Sequence, residues 1–205
     1  MPTIPQRMTL RTDTNAIESD RLHLRRIDAS GLAFLTRIHA DPDVARYLGD
    51  GEPRTPSSTE CWFGDIQNSY AGAQLGQLMV IRKVDGQRLG RCGLSDAVIE
   101  RAEPSGQPRK GWFFSAHAPE GVDLEHLPEL GYTFDRQAWG QGYASEAAGC
   151  VYEYAKAKLA FSKIMSVIHA DNKASRAVAL KFGVSYVDVI ELMGRPFDRY
   201  HWIMT

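Results

Sequence analysis

The chain has 205 residues, of which 43% are hydrophobic and 24% charged, and a formal net charge of −1. This is the balance of an ordinary soluble globular chain, most simply one domain with a real core. With no basic block the sequence offers no electrostatic footprint for nucleic acid, and no apolar run approaches a membrane span.

The N-terminal stretch carries no signal-peptide apolar segment, so a cytoplasmic location is expected. Cys61, Cys92 and Cys150 are odd in number, far apart and without metal-ligand spacing. They read as buried free thiols. The six histidines are scattered, and none pairs with another at metal spacing. No metal is expected.

Residues 1–17 are polar, with Pro2, Pro5 and several threonines, and read as a flexible tail ahead of one domain over 18–205. Arg21 to Ile27 alternates as a first strand with Leu22 and Leu24 inward. Asp28 can cap a helix with Leu32, Leu35 and Ile38 on its apolar side, and Asp41-Pro42 starts a short one through Val44 and Leu48. Thr55-Pro56 opens another, with Trp62, Phe63, Ile66 and Tyr70 on one face. Gln77 to Val84 and Arg88 to Leu94 are two strands joined by Asp85-Gly86, a hairpin signal.

The segment 95–127 carries Pro104, Gly106, Pro108, Pro119 and Gly121, and reads as an insertion near the substrate side. Lys110 to Ala116, with Trp112-Phe113-Phe114, suggests an extra strand whose aromatics either line a pocket or anchor the loop. Glu129 to Phe134 is a strand. Ala144, Ala147, Ala148, Val151, Ala155 and Leu159 then recur at helical spacing. Lys163 to His169 is apolar on both faces, as in a buried parallel strand. Asp171 or Asn172 caps a helix ending at Gly183. Tyr186 to Leu192 and Tyr200 to Met204 are strands flanking a Gly194-Arg195-Pro196 turn.

The most informative run joins the Glu129 strand to the long helix through Gln137-Ala138-Trp139-Gly140-Gln141-Gly142-Tyr143-Ala144. Two glycines one residue apart at a helix N-terminus suit an anion, because backbone N–H groups and the helix dipole converge on one place. Such a turn is also often only a tight connection. Ser145 stands where a dinucleotide fingerprint needs its third glycine, and no Gly-Lys-Ser/Thr follows, which excludes a Walker loop.

Gln137-x-x-Gly140-x-Gly142 resembles the acetyl-CoA signature of the GNAT N-acetyltransferase superfamily. The wider run from Glu129 to Glu146 looks like the ribosomal-protein N-terminal acetyltransferase branch. Asn172-Lys173-Ala174-Ser175-Arg176, with Phe182-Gly183 closing its helix, resembles the other signature of the superfamily. The resemblance covers roughly Asp20 to Met204, apart from the insertion. It implies an α/β (α+β) fold: a mixed, largely antiparallel twisted sheet of about seven strands, flanked by helices, with central parallel strands splayed around acetyl-CoA. A homodimer is a family-level expectation.

The resemblance also implies residue roles. Backbone groups of Tyr132, Thr133 and Phe134 would pair with the pantetheine amides as an added strand does. Gln137, Trp139, Gly140, Gln141, Gly142, Tyr143 and Ala144 would cradle the diphosphate. Asn172 would bond the pantetheine arm or act only as a helix cap. Acetyl transfer needs a neutral amine, a polarised carbonyl and a proton for the thiolate. Glu129 is the candidate base, its alternative being a solvated strand-end charge; Glu191 is a second candidate. Where many relatives carry an acidic tyrosine, this chain has Ala179, and Ser175 is the substitute acid. The expected function is direct acetyl transfer in a ternary complex to an amine, on a protein N-terminus or a small molecule. The alternatives are a catalytically weak acyl-CoA-binding module and a nucleotide-binding protein.

Overall fold

The computed structural model describes residues 16–72, 76–101 and 111–204. Positions 1–15 of the expected tail, and Pro104, Gly106, Pro108 and Lys110 of the insertion, lie outside the described residues. The last two tail positions belong to the edge strand β1 (Ala16–Glu18), which pairs with β2 (Leu22–Arg26).

The main sheet also takes β3 (Gly76–Arg82), β4 (Arg88–Ser95), β8 (Glu129–Phe134), β9 (Lys163–His169), β10 (Ser185–Leu192) and β11 (Arg195–Ile203). Its order is β1-β2-β3-β4-β8-β9-β11-β10. Every neighbouring pair is antiparallel except β8 and β9. The mixed sheet is as expected, but it has eight strands rather than about seven, and a second sheet stands beside it. That small sheet comes from the insertion: β5 (Ala97–Glu100) runs between β6 (Trp112–Phe114) and β7 (Leu124–His126).

Helices cover both faces. On one side α1 (Leu32–His39) and α3 (Pro56–Gly72) pack Leu35, Ile38, Trp62 and Ile66 against Met79, with α2 (Pro42–Ala45) at the edge. Asp28 and Asp41 cap as their spacing predicts, accepting from Ser30 N and Asp43 N at 2.9 Å each. The Pro42 helix is shorter than expected and ends at Ala45. On the other side α4 (Tyr143–Lys158) lays Ala147, Ala148 and Val151 on Leu130 and Phe134. Small residues let this helix come close to the sheet, where methyl groups and backbone fill the space between. The last helix, α5 (Lys173–Leu180), follows β9 and packs Ala179 into the same core.

Two local readings need correction. The C-terminal turn is Met193-Gly194, and Arg195 and Pro196 already belong to β11. Pro196 is tolerated because β11 meets β9 only from Phe197 onward, so no ladder N–H is missing toward that neighbour. Of the three thiols, Cys92 and Cys150 are buried, whereas Cys61 is exposed on α3. The spacing of single cysteines does not tell which helix face each occupies.

Candidate active site

Strands β8 and β9 share a single ladder pair, Glu129 with Met165, and then part. Ser166 holds the parting: its Oγ donates to the Leu130 carbonyl at 2.8 Å and accepts from Trp202 Nε1 at 2.9 Å. A cavity of about 540 Å³ lies at this opening. Its walls come from both faces of the sheet, and side-chain alternation explains how. Leu130, Tyr132 and Phe134 point toward α4 and α5, and Glu129, Gly131 and Thr133 toward α1 and α3.

On the α5 side, Asn172 caps the helix, its Oδ1 accepting from Ser175 N at 3.0 Å. That cap fixes the first turn and turns Ser175 toward the strand. The Ser175 hydroxyl lies 2.9 Å from the Tyr132 hydroxyl, which also reaches the Ser175 carbonyl at 3.3 Å. Burial raises the Tyr132 phenol well above its usual value, so it is a neutral donor and acceptor throughout the physiological range. Its side chain was not anticipated; only its backbone was. The signal available was the alternation that puts residue 132 opposite Glu129.

On the α1 and α3 side, the Glu129 carboxyl forms part of the cavity wall. Burial pushes its pKa up to about 7, against the opposing pull of Arg91, the Val167 N–H and the Trp112 indole. The Trp112 Nε1 is close enough to favour the charged form but makes no well-aligned hydrogen bond. Arg91 leans over the Trp62 ring, 4.9 Å from its centre, and donates to Gln77 Oε1 at 2.9 Å. Trp112, Phe113 and Phe114 also line this half of the cavity, so the insertion's aromatics are a pocket wall. Glu191 lies on the wall too.

Of the candidate site residues singled out from the sequence, Glu129, Tyr132, Asn172, Ser175 and Glu191 are brought to this one cavity. Thr133 and Phe134 are buried behind it on β8, and the Phe134 carbonyl already accepts from Trp139 Nε1 at 2.9 Å. Gln137 and Trp139 instead line a separate open cleft with Arg37 and Arg136.

The turn before α4 has Gly140 at φ 73° and Gly142 at φ 82°, backbone angles that a side chain would strain. The first intrahelical bond runs from Glu146 N to the Gly142 carbonyl, which leaves the earlier amides without a helical acceptor. Lys181 of the α5 end donates to Ser145 Oγ at 3.0 Å, and Arg21 reaches the Gln141 carbonyl at 3.1 Å. These two cations beside the turn were not foreseen from the motif. They come from chain segments 36 and 120 residues away. Glycines in the left-handed region, free helix amides, the Lys181 ammonium and an unpaired strand edge all fit a pantetheine chain ending in a diphosphate, while Arg21 is held by Glu146 at 2.6 Å. Gly140 to Ala144 with Lys181 would hold the phosphates, and the β8 edge with Asn172 the arm. Among the described residues no group of three or more His, Cys, Asp or Glu could hold a metal ion, and no helix is long and apolar enough to cross a membrane.

Residues 21–185 match the acetyltransferase (GNAT) domain family. The chain belongs to that family, and it is an acyltransferase. It is 28% identical over 183 residues to the uncharacterized protein YkkB of Bacillus subtilis (strain 168), covering 89% of this chain and 92% of that one. The fold is similar to that of an acetyltransferase from Agrobacterium tumefaciens, with a TM-score of 0.67 at 22% identity over 96% of this chain and 99% of that one. It is also similar to RimL, a ribosomal L7/L12 alpha-N-protein acetyltransferase solved with coenzyme A. That likeness has a TM-score of 0.64 at 15% identity, over 90% of this chain and 95% of that one. The resemblance drawn from the two motifs therefore holds.

Proposed function

We propose that the protein moves an acetyl group from acetyl-CoA directly to a primary amine, both substrates being bound together. The observation that carries this reading is the cavity at the parting of β8 and β9, with Glu129 on one face of the sheet and the Ser175–Tyr132 hydroxyl pair on the other. Acetyl-CoA, when bound, supplies a thioester whose acyl carbon an amine can attack. Glu129, with a pKa of about 7, is matched to take a proton from the incoming amine through water. The Ser175 hydroxyl, bonded to Tyr132, donates a proton toward the leaving sulfur. As the C–N bond forms and the C–S bond breaks, the net proton movement is from amine to thiolate. Among the described residues no cysteine lines the cavity to form an acyl-enzyme.

The RimL likeness offers a protein N-terminus as one class of acceptor, and a small amine is the other. The test is calorimetry with acetyl-CoA, then release of free thiol over a broad panel of amines. Micromolar binding, on the order of −8 kcal/mol, should vanish in Gly142→Asp, which strains the backbone and brings a negative charge to the phosphates. Absence of binding to well-folded wild type would sink the proposal. Binding without turnover would favour a binding module instead.

A further inference from the structure

Two guanidinium groups on the acceptor side have no part in the chemistry above. Arg91 stands on β4 opposite Thr133, while Ser95 stands opposite Glu129. Arg91 and Glu129 therefore leave the same face of the sheet roughly 13 Å apart, at about 3.3 Å per residue. Midway between them Gly93 faces Gly131. Neither glycine brings a side chain of its own, and the Gln77 amide lies over them, its Nε2 donating to the Gly93 carbonyl at 3.2 Å and to Ser95 Oγ at 3.3 Å. A Cβ on Gly131 would find nothing nearer than Gln77 Nε2 at 3.8 Å and Glu129 Oε1 at 3.9 Å.

Arg91 is held by groups that do not neutralise it. Its partners are Gln77 Oε1, the Trp62 ring and, at 3.4 Å, His39 Nε2. His39 is neutral, because burial and then the charges of Arg91 and Arg54 push its pKa down to about 2. Arg54 lines the same cavity, tied there by its backbone N–H to the His39 carbonyl at 2.9 Å. Its guanidinium makes no hydrogen bond or ion pair among the described residues. Asp50 and Asp65 attract it without pairing, and Asp65 instead lies 3.8 Å from His117 Nε2. Glu129 likewise attracts Arg91 without forming an ion pair.

Two guanidiniums at one end of a cavity, without a paired carboxylate, make an anion site. Glu129 and Glu191 are the carboxyls on the same wall. Resting on the acetyltransferase reading, we infer that the acceptor is an amine that also carries a carboxylate, which Arg91 and Arg54 bind at their end of the cavity so that the amino group faces Glu129 across the Gln77 amide. Trp62, Trp112, Phe113 and Phe114 wall the space and suit an apolar or aromatic body between the two charges. The carboxylate belongs either to a free amino acid or to an acidic residue beside a peptide N-terminus.

The test compares matched amines that differ only in the carboxylate. L-phenylalanine is paired with phenethylamine, and L-leucine with isoamylamine. An amidated peptide beginning Ala-Asp is paired with one beginning Ala-Asn. In at least one pair the carboxylated amine should have a kcat/KM about 10- to 100-fold higher, chiefly through KM. Arg54→Gln should erase that ratio, chiefly by raising KM for the carboxylated member, and Arg54→Lys should restore part of it. The pair that shows the effect tells whether the source is a free amino acid or a peptide. Equal values within every pair, or an Arg54→Gln loss that falls equally on both members, would overturn the inference. Failure to bind acetyl-CoA would overturn the acetyltransferase reading instead. Calorimetric titration of L-phenylalanine and phenethylamine into wild type and Arg54→Gln decides the carboxylate site in that case as well.

Discussion

Glu129 makes the sharpest residue-scale prediction. With a pKa of about 7, its carboxyl is protonated in mild acid and cannot accept a proton there. Acetyl transfer by wild type should rise with pH through that value, and Glu129→Gln should lose the rising limb and fall by about 10²-fold or more in kcat. The same shift has the opposite sign for stability. A folded pKa above the unfolded value of 4.5 means that folding favours the neutral carboxyl, so stability falls as pH climbs from about 4.5 through 7. Urea unfolding should therefore find Glu129→Gln gaining on wild type between pH 4 and pH 8. Ser175 and Tyr132 are predicted to act as a unit. Ser175→Ala and Tyr132→Phe should each lower kcat with little change in KM for acetyl-CoA, and the double variant should be scarcely worse than either alone.

At the scale of elements, the opening between β8 and β9 is sustained by Ser166. Its buried hydroxyl serves both the Leu130 carbonyl and the Trp202 indole. Ser166→Ala leaves both without a partner and should cost about 1–3 kcal/mol in urea unfolding. A loss within a few tenths of wild type would mean that the strands are held apart by packing alone. The hairpin of β10 and β11 is tied to the loop after α2 by Arg195, whose guanidinium donates to the Gly49 and Arg46 carbonyls at 3.1 and 2.8 Å. Leu48, Gly49 and Met193 line the cavity. This pair of contacts fixes one rim of the acceptor side, joining segments 146 and 149 residues apart in sequence.

For the whole molecule, ligand linkage gives a direct measure. Acetyl-CoA at 100 times its dissociation constant should add about 2.7 kcal/mol of stability. For a domain of this size that raises Tm by roughly 5–10 °C, and Gly142→Asp should abolish the shift. The sequence by itself determined the local pieces: capped helices at Asp28, at Asp41 and at Asp171 or Asn172, the apolar β9 run, and the strand, glycine turn and helix around Gly140 and Gly142. These are decided by periodicity, capping and backbone freedom over a few residues, and their motif carried the family. Tertiary structure alone decided the partners drawn from far along the chain. Tyr132 meets Ser175, Lys181 and Arg21 reach the glycine turn, and the insertion's aromatics become a wall. The Glu129 pKa and the placing of Arg54 and Arg91 on one cavity belong to the same class, since burial and Coulomb fields depend on distance in space and not on spacing in sequence.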